Sequence, residues 1–120
     1  MPLPEEILFS RLQTDPVVSG LVDERIYPVN QVASADLPLL VYQRISTTPF
    51  PVLSGTTTLA AARFQVSAWG SSYGEAKTLA DAVRTALDGQ QNTTFENEVD
   101  RFDDVVDLNY TVLDFIVWNN

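Results

Sequence analysis

The chain has 120 residues, with seven basic side chains against sixteen acidic ones for a net charge of -9, and 45% of it is hydrophobic. That length suits one domain, 1–120, with its own core, and the apolar share argues against wholesale disorder. With no cysteine and no histidine, the sequence excludes disulfides, thiolate catalysis, Cys/His zinc centres and imidazole acid–base chemistry, while its negative balance repels phosphate backbones.

The start, Met1-Pro2-Leu3-Pro4-Glu5-Glu6, lacks the basic and apolar runs of a signal peptide, and no apolar run is long enough to span a bilayer. A soluble, intracellular chain without a membrane partner is expected. Ile7, Leu8 and Leu12 then fall at helical spacing, which predicts a helix over 4–14. Pro4 suits its first turn, and Glu5 and Glu6 suit its positive end. Asp15-Pro16 breaks the pattern, with Asp15 placed to cap a short second turn that reaches Leu21. Arg25-Ile26-Tyr27-Pro28 reads as a brief strand, 29–38 as a loop, and 39–47 as a strand rich in β-favouring residues.

The next stretch, 46–58, holds two prolines and a glycine, so it cannot be a central strand. It also carries Phe50, Val52 and Leu53. A long, partly apolar connection is unusual in a small domain. It reads either as a loop folded over its own core or as an arm, 49–58, that packs on a neighbouring subunit.

Strand 59–69 alternates cleanly, with Ala60, Ala62, Phe64, Val66 and Ala68 on one face and Arg63, Gln65 and Ser67 on the other. Ser72 and Glu75 form a capping box for a helix over 72–87. Its apolar stripe is Ala76, Leu79, Ala80, Val83 and Leu87, and Gly89 suits the left-handed position beyond its end. Lys77–Asp81 and Arg84–Asp88 are spaced as ion pairs on its wet face. A weaker, acidic strand is expected over 95–106, and a strong one over 108–118. In the latter the apolar parity switches at Val112-Leu113, which suggests a bulge or burial on both faces. The fold class expected is α+β: a mostly antiparallel four- to five-stranded sheet, one long helix packed on one face and the N-terminal helix beside it. The strand–helix–strand step could supply one parallel pair.

Nothing in this inventory builds a reaction centre. Lys77 is the only lysine, and the chain does not begin with Thr, so the remaining nucleophile–base arrangements have no parts. The acidic run 100–107 lacks the alternating ligands and the glycine of a calcium loop. No cofactor is expected, and no enzyme. Glu96, Glu98, Asp100, Asp103 and Asp104 are candidates for an acidic surface that meets a partner or lines a passage. Phe50, Val52, Leu53 and Trp118 are candidates for a subunit interface.

The block Phe64-Gln65-Val66-Ser67-Ala68-Trp69, a turn, and Tyr73-Gly74-Glu75-Ala76-Lys77-Thr78-Leu79-Ala80-Asp81-Ala82-Val83-Arg84-Thr85-Ala86-Leu87 resembles the small tail-completion, or tail-terminator, proteins of long-tailed bacteriophages. Arg25-Ile26-Tyr27-Pro28, Val41-Tyr42-Gln43-Arg44-Ile45-Ser46 and the closing strand to Trp118 fit the same pattern in order. The resemblance implies a non-catalytic ring subunit, usually one of six, at the head end of the tail tube. It implies self-association and contacts to the tail-tube protein and the head connector or stopper, with DNA passing through unbound. The place implied is the virion neck, after assembly in the host cytoplasm. A head-closure or connector component of the same particle, or a soluble protein-binding module unrelated to phage, are the other readings.

Overall fold

The computed structural model describes residues 4–28, 36–51, 58–89, 92–105 and 107–119. In chain order the elements are α1 (Pro4–Thr14), α2 (Pro16–Val22), β1 (Ile26–Pro28), β2 (Leu39–Pro51), β3 (Thr58–Gly70), α3 (Tyr73–Leu87), β4 (Thr93–Asp103) and β5 (Leu108–Asn119). The strands form one mixed sheet in the order β1-β2-β3-β5-β4. The expected α+β class and its long helix on one face are what the structure shows.

The helical layer begins where the sequence placed it. Asp15 Oδ2 accepts a hydrogen bond from Val18 N at 3.0 Å, which caps α2 behind the proline. At α3, Ser72 Oγ accepts from Glu75 N at 3.1 Å. Glu75 reaches one residue further back than a capping box requires, accepting from Ser71 N at 2.8 Å and Ser71 Oγ at 3.1 Å. Gly89, at φ +77°, ends the helix in the left-handed conformation. Among the described residues no helix is long and apolar enough to cross a membrane.

One face of the sheet carries the core. Ala62, Phe64, Val66 and Ala68 of β3 and Leu113, Phe115 and Val117 of β5 pack beneath Leu79, Ala80, Val83 and Leu87 of α3, with Leu8, Leu12, Val18 and Val22 closing the side. Small residues let α3 lie close to the sheet. At Gly70 the approach is so tight that a Cβ would sit 2.7 Å from Ala76 N.

Four expectations are corrected. First, β2 does not stop at 47 but runs through Pro49 to Pro51, and β3 starts at Thr58. The connection therefore shrinks to 52–57, outside the described residues. The prolines are tolerated because, among the described residues, β1 pairs only with Leu40, Val41 and Tyr42, which leaves the rest of β2 as a sheet edge. Second, β5 pairs with β3 without interruption from Asn109 to Asn119, so there is no bulge at Val112-Leu113. Thr111, Leu113, Phe115 and Val117 face the core, and the other parity is only half-buried. The bulges lie elsewhere, at Ile45 in β2 and Glu96 in β4.

Third, the parallel pair is β1–β2. The β3–α3–β4 step instead straddles β5, which lies antiparallel to both strands. Fourth, Lys77 ignores Asp81. It binds Glu98 and Asp100 on β4, and Arg84 lies 5.0 Å over the Phe95 ring.

Candidate interaction surfaces

Because strand side chains alternate, the parity opposite the core defines a second sheet face. The register lines its residues up in rows across the strands. Leu39, Trp69, Tyr110 and Arg101 make one row; Val41, Ser67, Val112 and Val99 the next; then Gln43, Gln65, Asp114 and Asn97. The helical contacts lie on the core side, so no described helix covers these rows. Trp69 and Tyr110 stack with ring centroids 4.1 Å apart and planes at 12°. Arg101 stands exposed beside them and makes no ion pair among the described residues. One carboxylate oxygen of Asp114, Oδ1, is buried on this face without a hydrogen-bond partner.

The acidic candidates divide between the two faces. Glu98 and Asp100 point toward α3 and hold Lys77, at 3.0 Å for Asp100 Oδ1. Asp100 also accepts from Tyr73 Oη at 3.0 Å and Thr111 Oγ1 at 3.1 Å. The Lys77 hydrogen bond, with those from Tyr73 and Thr111, holds the Asp100 carboxyl below its ordinary range. The same cluster pushes Lys77 up, through Glu98 first, and pushes Tyr73 up, through its bond to Asp100. Glu96 faces Arg63 at 3.9 Å on the uncovered side. Asp103 accepts from Val105 N at 3.0 Å in the β4–β5 turn, and Asp104 is exposed there. Phe102 and Val105 flank that turn, 54% and 89% exposed. Among the described residues no group of three acids is arranged to hold a metal ion.

Of the interface candidates, Phe50 lies at the end of β2 opposite Leu59, and Trp118 is half-buried on the uncovered face beside Ala61. Val52 and Leu53 lie outside the described residues. The sequence reading did not single out Arg101 or Tyr110 as surface residues. The alternation of Leu108, Tyr110 and Val112 was the signal that could have placed Tyr110 opposite the core.

It also missed a groove of about 420 Å³ between α2 and α3, lined by Val17, Leu21, Ala82 and Thr85 and edged by Asp15 and Asp81. Val17 is 60% exposed there. The signal was the pair Val17-Val18, of which a single turn can bury only one.

The described residues form an α+β fold with two unlike surfaces, an uncovered sheet face and a groove between α2 and α3. The chain matches the family described as Tail completion protein gp17 over residues 6–119, and it belongs to that family; it is a phage tail structural protein. No curated protein matches it. A chain of the solved structure titled "Virion of native gene transfer agent (GTA) particle" is similar at a TM-score of 0.79 and 19% identity, over 92% of this chain and 90% of that one. At that identity the likeness is one of fold.

Proposed function

We propose that this protein is one subunit of a ring, of six copies, that caps the tail tube and joins the finished tail to the head connector. The observation that carries the reading is the family match across nearly the whole chain. Two further features support it. A head-to-tail ring needs two different surfaces on each subunit, and the uncovered sheet face and the α2–α3 groove lie on opposite sides of the molecule. The net charge of -9 suits a passage through which DNA slides without being held. The partners in this reading are further copies of the chain, the tail-tube protein and the head connector or stopper. Assembly takes place in the host cytoplasm, and no catalytic step is involved.

The test is light scattering and negative-stain imaging over a range of concentrations, with and without tail-tube protein. Rings seated at tube ends are expected. A protein that stays monomeric throughout rules the reading out, and crosslinks to the portal side instead of the tube would make it a head-closure component.

A further inference from the structure

We infer that the Trp69–Tyr110–Arg101 row on the uncovered sheet face of one copy docks into the α2–α3 groove of the next. This deepens the ring reading and rests on it. The two surfaces are both apolar and carry opposite charges. The sheet face offers a flat aromatic stack, continued by Val99 and Val112, with at its rim the exposed cation Arg101, which has no ion pair among the described residues. The groove offers aliphatic walls in Val17, Leu21 and Ala82, with an anion at its rim in Asp81.

Asp81 is available because its spacing partner has turned away: Lys77 is held by Glu98 and Asp100 on β4. Arg101 is available because Asp100, its neighbour in sequence, faces the opposite side of the sheet. Among the described residues Arg101 is thus the exposed cation of the sheet face without an ion pair, and the groove is edged by two acids, Asp81 and Asp15, of which Asp15 caps α2. In a chain with seven bases, two of them on this face, a cationic rim is the scarcer feature and sets the direction of docking. Four strands about 4.8 Å apart and the three rows, about 6.6 Å apart because same-face residues alternate, give roughly 380 Å² of sheet face. A standard interface needs about 800 Å² per partner, so these rows supply about half of one. A stacked Trp–Tyr pair beside an Arg is also the composition that anchors interfaces.

The contact is head-to-tail, so complementary variants can be told from a general loss of stability. Arg101→Asp and Asp81→Arg should each fold, by circular dichroism, and each should weaken self-association at least about tenfold. Mixed in equal amounts they should assemble again in alternation, because every junction in the mixture pairs either the native charges or the swapped ones. The chain has no cysteine, so Arg101→Cys mixed with Asp81→Cys should give a disulfide between unlike copies only. Single variants that assemble like the wild type, or a mixture that neither recovers nor crosslinks, overturn the interface while the ring reading stands. A wild-type protein that never leaves the monomer, with tube protein present, overturns both.

Discussion

The ammonium of Lys77 lies between two carboxylates of β4, and the consequences reach past one helix. Glu98 is largely covered, and its Oε1 has no hydrogen-bond partner, so Lys77 is what keeps two like charges together. Lys77→Met should cost about 1–2 kcal/mol at neutral pH, discounted for the exposure of Asp100. The pH dependence has a definite sign. Asp100 is held below its ordinary range, so its contribution is complete above the unfolded carboxylate value of about 3.9 and is lost as pH falls through the lower folded one. Lys77 is raised, so its contribution is complete below about 10.4 and fades only as pH climbs through the higher folded value. Urea unfolding from pH 3 to 7 should therefore show a shallower acid decline for Lys77→Met than for the wild type; parallel curves would contradict the assignment. Gly70 poses a steric question. A Cβ there meets Ala76 N at 2.7 Å and Glu75 Cβ at 3.0 Å, and the helix backbone cannot yield locally. Gly70→Ala should cost about 2 kcal/mol or more, read as a lowered melting temperature. The sequence could not rank these partners. An i,i+4 spacing offers Lys77 one exposed acid worth a few tenths of a kcal/mol, whereas the fold brings it two, partly shielded from water.

At the scale of elements, the helices and the β3 face were legible because local signals agree there: capping residues, a 3.6-residue stripe, strict alternation and a terminal glycine. The β2 edge was not. Two prolines read as a break, yet a strand may carry them where no neighbour needs its N–H groups, and that depends on β1 being three residues long. The acidic strand was legible as a strand but not as two-sided, since the bulge at Glu96 shifts the parity that sorts its acids. The prolines have a further effect at this scale. Among the described residues the β2 edge beyond Tyr42 is unpaired and would otherwise template another strand. Pro49→Val with Pro51→Val should leave the monomer fold intact and raise irreversible aggregation on heating, followed by turbidity; unchanged turbidity would show that the edge is guarded by something else.

For the whole molecule, composition bounded the chemistry but could not point to surfaces. The docking residues come from separate elements, and only pairing of β3, β5 and β4 brings Trp69, Tyr110 and Arg101 into one row. The strand lengths have a consequence of another sort. Strands β2, β3 and β5 hold 12 or 13 residues each, about 40 Å, in a body 51 Å long, whereas α3 spans only about 22 Å. Their ladder hydrogen bonds run perpendicular to that length. Tension applied along it loads many bonds at once, while tension across it opens them one after another. Stretched between handles at Asp36 and Asn119, at opposite ends of β2 and β5, a single molecule should yield at a much higher force than between Asp36 and Ser71, which lie at one end of β2 and β3. The subunit is in this sense a spar, stiff along its strands and easily parted across them, so the direction in which a neighbour pulls on it decides whether it holds.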